Sequence, residues 1–462
     1  MSQTIINKLI GSKDPQLAAT TKKDNGYPMS EQEYIAVFEK TQQYIITERI
    51  GELRRSLFGH ESDKDALLNL IQQYLHRHLR FSDDIFALAK RIFDDMTGYG
   101  FLNSYFERSS EIEEININSW DSVEIRYTNG NRELIDSRFH SPSHARDVLQ
   151  RIFHLNNKYL DDNMLIEVSN IGNNIRIAAA IPPVADKSAG IAASIRFIHT
   201  KKHTVEQLIQ SGMLSSDGFH MLKQLISYGV SICFCGSTGS GKTTVANALL
   251  MEMEHRTRII TIEAGTREFD LVRRDSNGRV INNVVHLQTR PHRDSHLNID
   301  LQALLDLILK FDPDLVVVGE MVSEEAFIAQ ETARTGHTVL TTIHTNNAYD
   351  TYHRMFTLGI RKYNLDENLM LKFMVDAYPI IVYIKQYGDN KRRVQSIIEG
   401  YYTGGKIQYN ELYTYQVHDN ITDIDGNITE VRGEFKKCGR ISDALKRRLL
   451  NNGMPANLIS KL

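Results

Sequence analysis

The sequence predicts an α/β protein built on a parallel sheet, preceded by a small α+β domain and a helical N-terminal extension. Three observations predict it. Residues 236–243, Gly-Ser-Thr-Gly-Ser-Gly-Lys-Thr, fit G-x-x-x-x-G-K-[ST], a pattern that a strand-to-helix turn folds around phosphate. Short apolar runs alternate with helical periods from residue 205 onward, as in a doubly wound sheet. Before residue 200 the hydrophobic period is first helical and then, from about residue 110, strand-like.

The chain has 462 residues, enough for two or three domains with separate cores. The divisions expected are 1–100 (helical extension), 101–200 (α+β) and 201–462 (α/β with a β-rich C-terminal part). Lys plus Arg total 54 and Asp plus Glu 57, a net charge of −3. That balance argues against a dedicated nucleic-acid binder. Cys233 and Cys235 fall in one buried run and Cys438 stands apart, so no disulfide framework is expected and a reducing cytosol fits. No run of 18 apolar residues occurs, and the opening residues lack a signal pattern. Any membrane association is therefore expected to be peripheral.

Taken in order, residues 30–100 read as helices, with Ile35, Phe38, Ile45, Ile46, Ile50, Leu53 and Leu57 forming one stripe. A further helix is expected from near Ser82 towards Gly98. From 110 to 200, "EIEEININ" and "SVEIRYT" lead into Asn129-Gly130, a hairpin signal. A helix around 143–155 and the strands "IRIAAAIPP" and "IAASIRFI" follow, and polar "HTKKHT" (199–204) marks the boundary. Buried strands are expected near 230–235, 258–262, 315–319 and 338–343. After 376 the pattern is β-rich, and a basic amphipathic helix, "ISDALKRRLL", comes near the end.

The chemistry follows from the strand ends, where ligands of open α/β sheets sit. The loop Gly236, Ser237, Thr238, Gly239, Ser240, Gly241 turns its N–H groups onto phosphate oxygens. Lys242 reaches the β- and γ-phosphates, the Thr243 hydroxyl serves Mg²⁺, and Thr244 continues into the helix, whose N-terminus adds positive potential. Strand 258–262 delivers Glu263, strand 315–319 delivers Glu320, and strand 338–343 delivers His344. Phosphoryl transfer needs an oriented water and a held metal ion. Glu320 is the candidate for polarising water, and Glu263 or Glu320 for holding metal-bound waters. Gly319 stands where many phosphate-loop enzymes carry an Asp. His337 and His344 bracket one strand as candidates for sensing the γ-phosphate. "HRDSH" (292–296) lacks a third ligand and reads as a solvated loop.

These motifs, in this order, resemble the secretion ATPases of the type II/type IV superfamily, most closely those that assemble Flp (tight-adherence) pili. The resemblance runs from about Phe93 to Leu450. It rests on Gly236–Thr243, an acidic box at Ile262-Glu263-Ala264 with Glu268, "TRP" at 289–291, "DPDLVVVGE" at 312–320, and Gly336-His337 with "TTIHTNN" at 341–347. "IPP" at 181–183 and Ser194-Ile195-Arg196 also match. Ala264 replaces the family's usual Asp, and Val322 stands where it often has an arginine. The resemblance implies a RecA-like ATPase domain, ATP with Mg²⁺, and Arg196 as an arginine reaching the nucleotide from the preceding domain. It also implies a hexameric ring whose domain closure moves an integral membrane platform protein, at the inner, cytoplasmic face of the membrane; from the charge balance no direct nucleic-acid partner is expected. Two other readings share the phosphate loop: a hexameric nucleic-acid translocase and a slow nucleotide-binding regulatory module.

Overall fold

The computed structural model describes residues 29–58, 61–79, 84–154, 158–171, 175–198, 203–264, 267–290, 296–322, 325–334, 336–360 and 366–462. They form two compact units, Met1–His199 and Thr200–Leu462.

The first unit opens with helices α1 (Glu31–Glu48), α2 (Ile50–Phe58), α3 (Glu61–His78) and α4 (Ile85–Thr97). Ser30 and Glu33 close a capping box at the start of α1, satisfying backbone donors the helix cannot reach. The single stripe expected over residues 35–57 does not form. The helix stops at Arg49, whose φ of −134° and ψ of 27° leave the helical region, and α2 restarts in a different phase. Phe38 and Ile45 are buried with Tyr34, Leu67, Ile71 and Ile92, while Ile46 and Ile50 stay exposed. The Leu57 side chain lies outside the described residues.

A short helix α5 (Asn103–Glu107) leads to six antiparallel strands in the order β3-β2-β1-β6-β5-β4. These are β1 (Ile112–Ser119), β2 (Ser122–Tyr127), β3 (Arg132–Ile135), β4 (Ile166–Ile171), β5 (Ile175–Ala180) and β6 (Ala192–Phe197). Period-2 alternation turns Ile115, Ile117, Val123, Ile125, Ile177 and Ile195 onto Val148, Leu149, Ile152 and Phe153 of α6 (Pro142–His154). The Asn129-Gly130 turn joins β2 to β3 as its sequence predicts. Asp95 of α4 accepts a hydrogen bond from the Tyr34 hydroxyl at 2.6 Å and lies 2.6 Å from His140 Nε2. The His140 and His144 rings stack at 4.5 Å, so one buried polar cluster ties α1 and α4 to the start of α6.

The second unit carries a nine-stranded sheet in the order β15-β14-β13-β12-β7-β11-β10-β8-β9. Its strands are β7 (Ile232–Cys235), β8 (Ile259–Glu263), β9 (Val284–Gln288), β10 (Leu315–Met321), β11 (Thr338–Ile343), β12 (Ile380–Gln386), β13 (Arg392–Thr403), β14 (Lys406–Thr422) and β15 (Ile428–Lys437). From β12 to β9 every neighbouring pair is parallel. From β12 to β15 every pair is antiparallel. The parallel expectation therefore holds for the body of the sheet, and the β-rich part expected after residue 376 adds an antiparallel flank. Residues 387–391 and 404–405 are too few for a crossover connection, so each reverses the chain as a hairpin.

Helices α7 (Val205–Gln210), α8 (Ser216–Ser227), α9 (Lys242–Met251) and α14 (Asp443–Asn451) cover one face, over Ile232, Phe234, Val317, Leu340 and Val382. Helices α10 (Leu301–Ile308), α11 (Glu325–Arg334), α12 (Thr351–Gly359) and α13 (Glu367–Ala377) cover the other, over Cys233, Cys235, Val316, Val318 and Val339. Both faces of a parallel sheet need such cover. The apolar side of α14 is spent in this way: Leu445 and Leu449 are buried and Leu450 is exposed. A last short helix, α15, spans Ala456–Ile459.

Candidate functional site

The phosphate loop joins β7, buried at every residue, to α9. Two glycines are required by their surroundings. At Gly236 a Cβ would run into the carbonyl oxygen of Ile384 on β12, and φ is +148°. At Gly241, with φ of +98°, a Cβ would sit 2.5 Å from the Met213 methyl. Helix α9 begins at Lys242, so Lys242, Thr243 and Thr244 form the first turn, where unpaired N–H groups and the helix dipole favour an anion.

Lys242 is buried, and its ammonium donates to the carbonyl oxygens of Gly236 at 3.0 Å and Ser237 at 2.9 Å. The same nitrogen lies 3.1 Å from His344 Nδ1. His344 follows β11, and its Nε2 lies 2.5 Å from Glu320 Oε1. Glu320 stands within β10, which runs on to Met321. Nδ1 also lies 3.2 Å from the Gly236 carbonyl oxygen, so this side of the ring faces a donor and an acceptor, and the other side the Glu320 carboxylate. Loop, β10 and β11 are thereby linked through three side chains on one sheet edge.

Glu263 takes a different part from the one its position suggests. Its carboxylate is buried and accepts the backbone N–H of Glu268 at 2.6 Å and of Phe269 at 2.9 Å. Burial pushes its pKa up to about 7, against the two N–H bonds that lower it. Glu263 thus holds the backbone of Glu268 and Phe269, and the Thr243 hydroxyl donates to Glu268 Oε2 at 3.0 Å. Glu268 is the acidic residue in contact with the loop, and its signal in the sequence is only its place five residues after Glu263. Gly319 packs against the same side chain: a Cβ there would lie 3.1 Å from Glu263 Cγ, a tight contact that Glu263 would have to shift to relieve.

One expected member is not brought to this edge. His337 precedes β11, at the end where Leu315 pairs with Thr338, and a strand's length separates it from His344. Arg196 belongs to the first unit, on β6 between Glu114 of β1 and Arg176 of β5. Pro291 and His292 lie outside the described residues. Among the described residues no three His, Cys, Asp or Glu side chains group as a metal centre, and no helix is long and apolar enough to cross a membrane.

A glycine-rich loop opening a helix, on a parallel sheet whose neighbouring strands end in a carboxylate and an imidazole, defines a phosphate-loop nucleotide-binding protein. Residues 147–375 match the family model described as type II/IV secretion system protein. An uncharacterized protein of Methanocaldococcus jannaschii is 34% identical over 201 residues, 43% of this chain and 34% of that protein. Conjugal transfer protein TrbB of Rhizobium radiobacter is 27% identical over 266 residues, 56% of this chain and 76% of that protein. Type II secretion system protein E of Xanthomonas campestris is 34% identical over 136 residues, 29% of this chain and 21% of that protein. The alignments thus span about a third or less of two of these relatives. The family model and these relatives support the type II/IV secretion ATPase superfamily for the stretch they match.

Proposed function

We propose that the protein hydrolyses ATP and acts as a motor of a pilus, secretion or conjugation machine, in the manner of Flp-type pilus assembly ATPases. One observation carries the hydrolytic part: Lys242, His344 and Glu320 meet within hydrogen-bond distance on the edge that holds the phosphate loop. Lys242 serves the β- and γ-phosphates, and the loop from Gly236 to Gly241 supplies N–H donors. Glu320 orients and polarises the attacking water. His344 holds that carboxylate and registers whether Lys242 is engaged by phosphate.

The Thr243 hydroxyl and the Glu268 carboxylate are hard oxygen donors 3.0 Å apart, a set that fits Mg²⁺. Bound there, the ion would neutralise charge on the β- and γ-phosphates. Arg196 is proposed to reach the nucleotide from the first unit. In this reading copies form a ring, with six the expected number, at the cytoplasmic face of the membrane. Nucleotide-driven closure then moves an integral membrane platform protein, and nucleic acid is not the direct partner. The relatives named for conjugal transfer and type II secretion support a machine of this kind. The experiment is phosphate release from ATP and Mg²⁺ by the purified full chain. Absence of turnover at every protein concentration would leave the nucleotide-binding regulatory module as the reading.

A further inference from the structure

We propose that the β14–β15 hairpin of one copy docks on the basic C-terminal surface around α14 of a second copy, joining copies head to tail. The inference deepens the ring assembly proposed above and rests on it. Strand β14 pairs with β13 only as far as Thr414. From Tyr415 to Thr422 its strand partner among the described residues is β15 alone. No residue from Gln416 to Glu430 is buried, and Ile424 at the tip is fully exposed. A two-stranded ribbon without a core is marginal by itself, yet this one is fixed at root and tip. At the root, Asp389 accepts the Val431 N–H at 3.1 Å, and Arg393 donates to the Val431 carbonyl oxygen at 3.3 Å. At the tip, the Asp423 carboxylate accepts the N–H groups of Asp425 at 2.9 Å and Asn427 at 2.8 Å. The chain thus holds in one shape an arm that adds nothing to its own core.

Charge names the occupant. Residues 417–430 carry four carboxylates, Asp419, Asp423, Asp425 and Glu430, and no Lys or Arg. Residues 436–462 carry seven Lys or Arg and one carboxylate, Asp443, which pairs with Lys446 at 2.9 Å. Lys436, Lys437, Arg440, Arg447 and Lys461 are exposed, and Lys437 donates to the Lys461 carbonyl oxygen at 2.8 Å. Leu450, three residues after Arg447 and so on the same side of α14, is exposed and offers Ile424 an apolar contact. The pairs Thr422–Ile428 and Tyr413–Lys437 mark the two ends of the ribbon. Nine residues of strand put the acidic tip about 30 Å from Lys437, far beyond the screening length of about 8 Å at physiological salt. Within one copy the two ends do not neutralise each other; across two copies they do. A contact between different patches of the same chain is heterologous, the kind that closes into a ring.

The test uses the full chain and two variants, a tip reversal (Asp419→Lys with Asp425→Lys) and a surface reversal (Arg440→Glu with Arg447→Glu). Sedimentation with a non-hydrolysable ATP analogue measures assembly, and flotation measures binding to phosphatidylcholine vesicles with and without phosphatidylglycerol. Each reversal alone is expected to raise the concentration needed for assembly by roughly tenfold or more, because like charges then meet. An equimolar mixture of the two variants should recover assembly, since each tip then finds a surface of opposite charge. Melting temperatures should not move, as all four side chains are exposed. A mixture that fails to recover would overturn the contact. So would a surface reversal that assembles like the wild type but no longer floats with phosphatidylglycerol, which gives the basic surface to a membrane. If the wild type assembles and both reversals assemble equally well, this contact alone falls. If the wild type stays monomeric at every concentration, the ring reading falls and the contact with it.

Discussion

Lys242 and His344 meet at 3.1 Å, ammonium to Nδ1, although 102 residues separate them in the chain. The ammonium spends its other donors on carbonyl oxygens of Gly236 and Ser237. A nucleotide has to draw this nitrogen from its own loop onto phosphate. In the proposed reading His344 then loses its contact with Lys242, while its other face still holds Glu320 at 2.5 Å. Lys242 replaced by alanine should therefore bind nucleotide weakly and lose turnover by a factor on the order of 10²–10³, the usual cost of removing a charge-stabilising donor. The fold should survive, since the apolar core on that side of the sheet does not use this side chain. Equilibrium binding and phosphate release, beside circular dichroism, check it; unaltered turnover would sink the site.

Glu320→Gln keeps the shape and loses the charge. ATP should bind nearly as in the wild type, and hydrolysis should fall on the order of a hundredfold, as for loss of an acid/base group. Loss of binding with normal turnover of the bound fraction would make Glu320 a metal-holding or structural residue.

The loop, Glu320 and His344 were legible in the sequence because each follows a strongly apolar run, and a parallel sheet gathers such ends on one edge. The role of Glu263 was not legible. Its position at the end of β8 is right, yet its carboxylate turns into the protein to hold the N–H groups of Glu268 and Phe269. No periodicity reports where a side chain at a strand end will point. His337 shows the limit of proximity in sequence, since six residues of β11 place it at the other end from His344. The α1–α2 break at Arg49 escaped for a similar reason, because a stripe counted through a change of helix phase still looks continuous.

Glu263 also predicts how stability responds to pH. Its folded pKa is raised from 4.5 to about 7 by burial. Between these values the folded state keeps a proton that the unfolded state has lost, so stability falls as pH rises from 4.5 to 7. The full effect is on the order of 3 kcal/mol. Glu263→Gln should flatten this slope in urea titrations of the nucleotide-free protein at pH 5 and pH 8. Equal slopes in variant and wild type would place the carboxylate in a wetter setting than its buried position indicates.

The first unit should respond in the opposite sense. Burial holds the His144 pKa down at about 4, with the neighbouring His140 acting in the same direction and Asp95 against it. Between pH 4 and His144's unperturbed value of about 6.5, the unfolded chain takes up a proton that the folded one refuses. Stability of this unit is therefore complete above 6.5 and is lost as pH falls towards 4, by roughly 3 kcal/mol. Asp95, whose pKa is lowered by its bonds from His140 and Tyr34 despite burial, extends the loss into the acid range. The chain's one tryptophan, Trp120, lies in this unit, and its fluorescence reports the unit's unfolding. His144→Gln should remove the slope between pH 4 and 6.5; a Trp120 transition that stays as steep there would exclude His144 as its source.

Turnover should also depend on assembly. Phosphate-loop enzymes gain on the order of 10³–10⁵ in rate from an arginine brought by another domain or subunit. Within the second unit, the position two residues after Glu320 is Val322, exposed and uncharged. In the proposed ring motor the charge comes from Arg196, or from an arginine of a neighbouring copy. Arg196 stands in a sheet row beside Glu114 and Arg176, so removing its side chain deletes a charge without opening the core. Arg196→Ala is expected to bind ATP normally and to hydrolyse it at least tenfold more slowly. Specific activity of the wild type should rise with protein concentration, in step with the ring fraction seen by sedimentation with a non-hydrolysable nucleotide. A strict monomer whose activity is independent of concentration would rule out the ring motor and leave the regulatory module.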